Sequence, residues 1–232
     1  MPKHGKRYRQ ARKEVSKPAY TLQDAVELLK RLPGPKFDQS VEVHLKLGID
    51  PKQSDQNVRG SVALPAGLGQ TRSVVAFCPP EMADEARQAG AVEAGAEDLV
   101  AKIEGGWMDF DVAVAHPALM PKVAKLGRLL GPQGKMPTPK AGTVGPEVPK
   151  LVSEFTAGKL EYRNDSGGNI HAIVGKVSFA PAAIIENVHA LVEHIRRARP
   201  AGAKGQFFQK AVLSASMMPG INLDLKTLPT GA

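Results

Sequence analysis

The hydrophobic pattern of the chain changes its period twice, and this change limits the possible folds more than any other feature. Residues 1–67 and 158–232 contain runs that alternate apolar and polar side chains, whereas residues 68–157 alternate short apolar runs with helical segments. The first pattern predicts antiparallel strands, and the second predicts βαβ units around a parallel sheet. Neither end alone has enough elements for a core. We therefore predict a discontinuous α+β domain, residues 1–67 and 158–232, that carries an inserted Rossmann-like α/β domain, residues 68–157.

Two chain crossings would link these domains, and both contain glycine. The first crossing lies at residues 65–69 and the second at residues 156–159. Glycine tolerates the backbone changes that a hinge requires. We therefore predict a two-strand hinge that lets the domains open and close, formed by Pro65, Gly67, Gly69 and Gly158.

The most regular strand pattern lies at residues 41–47. Four aliphatic residues alternate there with three polar ones, Glu42, His44 and Lys46. Lys36 and Phe37 come just before this strand. A polar sheet face beside a basic and an aromatic residue can bind RNA by phosphate pairing, hydrogen bonding and stacking. The same pattern also fits the solvated face of an ordinary antiparallel sheet.

Other elements are indicated by periodicity and by Gly, Pro and capping residues. Thr21 is predicted to cap a helix, and residues 58–64 are predicted to pair with the first strand as an antiparallel hairpin. A second hairpin is predicted from residues 160–164 and 169–177 around the turn 165–168. Further helices are expected at 81–89, 97–103, 117–130, 147–156 and 181–199, and further strands at 73–77, 111–115, 210–217 and 221–225.

The charge balance of the chain favours polyanionic partners. The 232 residues carry a formal net charge of +8, and the pI is about 9.6. Residues 1–20 are strongly basic, which suits either a solvated tail or an arm that contacts phosphates. Residues 112–146 and 194–223 contain no Asp or Glu, so each predicted domain has one basic stretch without acids. We infer that both domains can touch a polyanion, with nucleic acid as the first candidate.

Several classes of protein are disfavoured by the sequence. No apolar run reaches the roughly 20 residues that span a bilayer, and no apolar core follows the basic N-terminus as in a secretory signal. Cys78 is the single cysteine, which excludes an internal disulfide and a cysteine-based zinc site. A reducing, cytoplasmic setting fits these features. We expect no membrane partner and no homo-oligomer.

Three tests of an enzymatic function fail. Residues 67–72 lack the last glycine of a dinucleotide-binding fingerprint and precede a strand rather than follow one. Residues 129–136 lack the first glycine of a phosphate-binding loop and have Met136 in place of its Ser or Thr. His189 and His194 are five residues apart and cannot share a metal on one helix face. We therefore predict no catalysis, no cofactor and no metal site.

Short motifs that occur in order along nearly the whole chain resemble those of the bacterial L-one family of ribosomal proteins. They are KHGKRY (3–8), KFD (36–38), SDQNVRG (54–60), GWMDFD (106–111), KLGRLLGP (125–132), PKAGTV (139–144), RND (163–165) and GAKG (202–205). The resemblance implies the discontinuous two-domain layout and binding to large-subunit ribosomal RNA (rRNA) of the mobile side stalk beside the exit site. It also implies a role in the release of deacylated tRNA from the exit site and repression of translation of the protein's own operon mRNA.

The resemblance places the principal RNA surface on the terminal domain. By motif position it falls around the start of the first strand, on the turn at residues 165–168 and at the end of the last long strand. To these residues we add two basic ones, Lys46 and Lys204. The predicted RNA-binding residues are Lys36, Phe37, Ser40, Glu42, Lys46, Asp165, Gly168, His171, Lys204, Ser214, Ser216, Met217 and Met218.

One departure from the family pattern concerns the last of these residues. Where the family usually has Thr-Met-Gly-Pro, this chain has Ser216-Met217-Met218-Pro219, so Met218 replaces a glycine that permits close backbone approach. Structural explanations also exist for several residues, since Phe37 could belong to a core and Glu42 could serve as a cross-strand partner. Two other functions stay open, namely an RNA-binding regulator that acts away from ribosomes and a nucleotide-dependent enzyme.

Overall fold

In the computed structural model, which describes residues 5–69 and 71–229, the chain divides into two compact units. The first unit consists of Met1–Gly69 and Leu160–Ala232, and the second consists of Gln70–Lys159. Each boundary lies two residues later than we predicted. Leu68 explains the first shift, because it is only 4% exposed and packs in the core of the first unit. Lys3 and His4, which belong to the first motif of the resemblance, lie outside the described residues.

The mixed α/β composition that we predicted is confirmed. The strands and α-helices, in chain order, are α1 (Lys6–Glu14), α2 (Leu22–Arg31), β1 (Ser40–Leu47), β2 (Arg59–Val62), β3 (Val74–Phe77), α3 (Pro80–Gln88), β4 (Ala91–Gly95), α4 (Glu97–Glu104), β5 (Val112–Ala115), α5 (Met120–Val123), α6 (Gly127–Leu130), α7 (Val148–Thr156), β6 (Leu160–Arg163), β7 (Asn169–Lys176), α8 (Pro181–Arg197), β8 (Phe208–Ala215) and β9 (Ile221–Leu223). None of the helices formed by the described residues combines the length and the hydrophobicity that a bilayer crossing requires.

The first unit is built on a four-stranded antiparallel sheet with the strand order β7-β1-β8-β9. The apolar residues of β1 are at most 1% exposed and share one core with residues of α2 and α8, such as Leu29, Val188 and Leu191. Both helices therefore cover the same face of the sheet. The other face of the sheet is left to the polar residues of β1.

The two helices begin and end where their sequences indicate. The Thr21 hydroxyl accepts a hydrogen bond from the backbone N–H of Asp24 at 3.1 Å, which caps α2. Pro181 occupies the first turn of α8, where the missing N–H costs no hydrogen bond. Arg196 and Arg197 lie in the last turn of α8, beside the negative end of the helix dipole.

The predicted hairpin between residues 41–47 and 58–64 is wrong. β2 pairs instead with β6 in a separate two-stranded ribbon. Both edges of β1 are occupied by β7 and β8 from the second half of the chain, so β1 has no free edge for β2. The predicted hairpin of residues 160–164 with residues 169–177 is likewise reduced to one bridge, Asn164 with Ile170.

Three further features of the fold differ from what the sequence indicated or were not predicted. The basic segment at the N-terminus forms α1, whose Ala11 is fully buried, so it is not a solvated tail as a whole. The predicted helix at residues 117–130 is broken into short helical turns, because Pro121 and Gly127 interrupt regular helix propagation. The strand β4 was missed, since its short run of Ala, Val, Glu and Gly gives a weak signal.

The second unit contains a parallel sheet with the strand order β4-β3-β5. All four residues of β3 are buried, because helices cover both faces. Val74 and Ala76 pack with residues of α3 and α7, while Val75 and Phe77 pack with residues of α4 and of the turns that follow β5. A continuous apolar strand is what a parallel sheet covered on both sides requires.

Candidate RNA-binding interface

The sheet of the first unit carries a continuous polar strip on its uncovered side, which we call the polar face. It is formed by the even-numbered residues of β1 and by the polar residues that pair beside them on β7 and β8, while the apolar Ile173 and Val212 pair beside Glu42 and His44. Its members are Ser40, Glu42, His44 and Lys46, with Asn169, His171 and Lys176 of β7 and Lys210 and Ser214 of β8.

Strand pairing fixes this arrangement from both sides. In the register of β1, Glu42 lies opposite Ser214, and His44 lies opposite His171. A slip by one residue would turn the fully buried Val43 and Leu45 outward, so the hydrophobic core holds the polar residues in place. At 3.3 Å per residue, the strip from Ser40 to Lys46 is about 20 Å long.

Two histidines form the centre of the polar face. The Nδ1 atoms of His44 and His171 are 2.7 Å apart, and His44 Nε2 lies 2.8 Å from the Ser214 hydroxyl. A contact between two ring nitrogens requires one donor and one acceptor. Burial lowers the pKa of His44, the neighbouring His171 lowers it further, and only the Glu42 carboxylate raises it. Burial and the neighbouring His171 therefore disfavour the protonated form of His44.

The turn at residues 165–168 supports His171 from the edge of the sheet. The Asp165 carboxylate accepts hydrogen bonds from the backbone N–H groups of Gly167 and Asn169, at 2.8 and 2.7 Å. Hydrogen bonds from the side chain and the backbone of Asn169 are the main reason why the pKa of Asp165 is lowered to about 2. The Asp165 carboxylate lies 3.5 Å from His171 Nε2. Gly168, with a φ of 73°, makes the tight turn possible.

The Ser40 end of the polar face exposes two large apolar side chains. Phe37 is 52% exposed and is therefore not a core residue. Ser216 lies beside Ser40, because its backbone N–H donates to the Ser40 carbonyl at 3.1 Å. Met217, the next residue, is 70% exposed and has a φ of 61°, a left-handed conformation that is unfavourable for residues with a side chain. Exposed rings and thioethers of this kind can contact nucleotide bases.

Met218 differs from its neighbour. It is 9% exposed and packs in the core of the first unit, so its side chain is not available to a partner. Met218 is one of the predicted RNA-binding residues, and since its side chain is buried only its backbone could make such a contact, which stays a prediction. The backbone position that glycine would suit is Met217, since Met217 alone among the non-glycine residues that the structure describes has a positive φ.

The opposite end of the polar face is basic. Lys46 and Lys210 lie directly opposite each other on β1 and β8, and Lys46 Nζ donates to the Gly167 carbonyl. A shallow depression of about 110 Å³ lies here, lined by His44, Lys46, Asn169, His171 and Lys210 among others. Its positive rim suits a phosphate group. Lys204 is exposed in the loop that precedes β8, where the Phe207 carbonyl accepts from the backbone N–H of Gly48 at 2.7 Å. Lys204 therefore belongs to this end of the sheet and not to the end that carries Phe37.

Comparison with known proteins identifies the family of the chain. A model of the Ribosomal protein L1p/L10e family matches residues 28–219. The chain belongs to this family. Over 233 residues, 100% of this chain and 99% of the relative, it is 51% identical to the large ribosomal subunit protein uL1 of Fervidobacterium nodosum. The protein of the same name from Kosmotoga olearia is 48% identical over 97% of this chain and 97% of the relative. The one from Lactobacillus acidophilus is 49% identical over 97% of this chain and 98% of the relative.

Membership in the L1p/L10e family makes the chain a structural ribosomal protein and not an enzyme. In this L1p/L10e protein the polar face contains five of the thirteen predicted RNA-binding residues, namely Ser40, Glu42, Lys46, His171 and Ser214. Four of its members, His44, Asn169, Lys176 and Lys210, were not among the predicted site residues. The alternation of β1 indicated the direction of His44, but the other three become neighbours only through the pairing of β7 and β8 with β1. Among the described residues, no group of three or more His, Cys, Asp or Glu side chains could hold a metal ion.

The predicted hinge residues have distinct local environments in this L1p/L10e protein. Gly67, Gly69 and Gly158 all have positive φ values, of 68°, 70° and 103°. The segment around Pro65 and Gly67 is held within the first unit, because the Asn187 side chain hydrogen-bonds the Ala66 N–H and the Gly67 carbonyl. The opening motion stays a prediction.

Proposed function

We propose that the chain binds large-subunit rRNA of the mobile side stalk through the polar face of the first unit. The main support for this proposal is the order in which apolar, hydrogen-bonding and basic side chains follow one another along one rigid strip. Exposed Phe37 and Met217 lie at one end together with Lys176, hydrogen-bonding side chains lie in the middle, and Lys46 and Lys210 lie at the other end. Structured RNA offers bases, 2′-hydroxyls and phosphates at comparable spacing.

The presence of Glu42 in a proposed RNA-binding surface requires an explanation, because a carboxylate repels phosphates. Its side chain is 37% exposed and lies 3.8 Å from His44 Nε2, so it is held at the surface of the strip. A carboxylate in this position can accept a hydrogen bond from a 2′-hydroxyl or from a base amino group. We therefore assign to Glu42 and Ser216 the recognition of RNA shape, and to the lysines the salt-dependent attraction.

Salt titrations of two variants test this division. Glu42→Ala should weaken binding to protein-free large-subunit rRNA without changing the slope of log K against log salt, because no phosphate contact is lost. Lys36→Ala should make the slope shallower by about one unit or less, since each neutralised phosphate contributes roughly 0.7 to 0.9. Filter binding at several salt concentrations measures both quantities. Equal slopes for the two variants would refute the division, and a wild-type protein that does not bind the RNA would refute the proposed function.

The same proposal includes more specific roles of the chain in translation. We assign to the chain a place in the large ribosomal subunit in the cytoplasm, assistance in the release of deacylated tRNA from the exit site, and repression of its own operon mRNA. Repression requires that the mRNA and the rRNA compete for the polar face, because one surface cannot hold both. The family membership supports the place in the large subunit, and the polar face of the first unit supports the RNA-binding roles.

A further inference from the structure

The ribbon of β2 and β6 places two arginines directly opposite each other. Arg59 pairs with Arg163 in the register of the ribbon, and both residues are exposed. The Val58 carbonyl accepts from the backbone N–H of Asn164 at 2.9 Å, so the neighbouring Val58–Asn164 position is the hydrogen-bonded one. Arg59 and Arg163 consequently occupy a non-hydrogen-bonded position, where facing side chains lie closest. Like charges at such a position destabilise a ribbon.

Within the described part of the chain, no acidic side chain pairs with the positive charge of either guanidinium group. No carboxylate among the described residues lies within 4.0 Å of either group, and no hydrogen bond within that part of the chain engages them. Glu161 is on the same outer face, two residues before Arg163, and has interactions of its own. A paired arrangement of two free guanidinium groups indicates that an anion completes it when the protein is bound to its partner.

The inner side of the ribbon makes this arrangement rigid. Tyr162 is 2% exposed, and its hydroxyl lies 2.9 Å from His194 Nδ1 of α8. Gly60 faces Tyr162 so closely that a Cβ atom on Gly60 would approach the tyrosine hydroxyl to 2.9 Å. The Asn164 side chain also accepts from the backbone N–H of Val58 at 2.8 Å. The backbone that carries both arginines is therefore fixed in the free protein.

The position of the pair points to the ligand. Arg163 is two residues from Asp165, at most about 7 Å along the chain, and Asp165 contacts His171 of the polar face. An RNA that covers the polar face thus has backbone within reach of the ribbon. An arginine side chain presents planar N–H donors that match phosphate oxygens in a bidentate manner.

We propose that Arg59 and Arg163 jointly bind one phosphodiester group of the RNA that occupies the polar face. This site lies outside the predicted set of RNA-binding residues, and its ligand rests on the function proposed above. One phosphate between the two guanidinium groups neutralises their mutual repulsion. The free protein keeps the repulsion, and the complex removes it.

The test compares Arg59→Gln/Arg163→Gln with a control of equal charge change, Arg31→Gln/Lys226→Gln, whose two residues are exposed elsewhere in the first unit. Binding of protein-free large-subunit rRNA is measured between roughly 50 and 200 mM salt. The arginine-pair variant should lose about tenfold in affinity, as expected for charge-assisted hydrogen bonds, and its salt slope should be shallower by about one unit. A slope shallower by about two units would instead mean two separate phosphates and would overturn the joint site.

Two further measurements separate this site from a structural role. Arg163→Lys should keep most of the salt slope but lose several-fold in affinity, because a lysine cannot make the bidentate contact. The arginine-pair variant should unfold at the same temperature as the wild type or a higher one, since the like-charge pair is removed. Lower stability, or RNA binding equal to that of the control variant, would refute the proposal.

The outcome for the wild type distinguishes this inference from the proposed function. If the wild type binds the RNA and the arginine-pair variant binds equally well, only the paired site is refuted. If the wild type does not bind the RNA, the proposed function fails first. Thermal stabilisation by inorganic tripolyphosphate then decides whether the pair holds phosphate at all, since the wild type should be stabilised more than the arginine-pair variant.

Discussion

Asn187 is the buried polar residue whose replacement should disturb the first unit most. This residue of α8 is 0% exposed, and its amide makes three hydrogen bonds. Oδ1 accepts from the Ala66 N–H at 3.0 Å, while Nδ2 donates to the carbonyls of Gly67 at 2.9 Å and Val174 at 2.8 Å. Val174 is the extra residue of a β-bulge in β7, because Val41 pairs with Gly175 and the next residue of β1 pairs with Ile173. Asn187 thus binds a carbonyl that has no opposite residue on β1.

The expected cost of Asn187→Leu follows from these contacts. Three net hydrogen bonds contribute about 3 kcal/mol, and the buried Val174 carbonyl left without its donor adds about 1–2 kcal/mol. Burial of the larger apolar surface of leucine offsets about 1–2 kcal/mol of this loss. The leucine side chain fits the site because the volumes of the two side chains are similar. We therefore expect the free energy of unfolding to fall by about 3 kcal/mol. A loss of this size is a large fraction of the stability of an ordinary domain.

Urea unfolding followed by far-UV circular dichroism measures the total effect, and amide exchange at Ala66 measures the local one. Exchange of the Ala66 N–H should accelerate, because its acceptor is removed. Glu186→Leu is the matched control, since it introduces the same side chain at the preceding, exposed position of α8 and should change stability by no more than about 0.5 kcal/mol. A loss below about 1 kcal/mol for Asn187→Leu, with unchanged exchange at Ala66, would show that these hydrogen bonds do not hold the segment.

Two further predictions concern the ends of the polar face. Met217→Ala should weaken RNA binding several-fold by removing an exposed side chain, and Met217→Gly should bind as weakly but be more stable than the alanine variant by about 0.5–1 kcal/mol, because glycine tolerates the φ of 61°. Wild-type affinity in either variant would exclude a contact by the methionine side chain. The pKa of Asp165 is about 2 in the folded protein, below the ordinary value of 3.8, so the stabilisation by its carboxylate is present above about pH 4 and is lost as the pH falls towards 2. The difference in free energy of unfolding between the wild type and Asp165→Asn should therefore narrow over that range, and a constant difference would contradict this assignment.

Residues that carry a local signal were predictable from the sequence. The alternation of β1 indicated which side chains face the core, and each apolar residue of β1 is at most 1% exposed. Thr21 caps α2 as predicted, because the contact between its hydroxyl and the Asp24 N–H depends only on neighbouring residues. The change of period along the chain likewise indicated antiparallel strands at both ends and a parallel sheet between them. In each case the physical cause lies within one element or in the sequence of elements.

Features that depend on pairing between distant segments were not predictable in the same way. The sequence near β2 allowed a hairpin with β1, but both edges of β1 are occupied by strands from residues 169–215. The bulge at Val174 and the left-handed Met217 also have no local signal, since a valine in a strand and a methionine in a turn are both ordinary. Burial of Met218 depends on the core that the whole first unit forms. Such features require the complete fold.

The position of β1 explains why one strand can specify both the core and the interface. As an inner strand, β1 is hydrogen-bonded on both sides, so its residues cannot shift without breaking two ladders at once. Any change of register that moved Glu42 or His44 would also expose Val43 or Leu45, and the loss of apolar burial would be about 2 kcal/mol for each side chain. The free energy that stabilises the first unit therefore also fixes the geometry of the polar face before RNA arrives. A preformed surface of this kind loses little conformational entropy on binding, which favours the hydrogen-bonding role that we propose for Glu42.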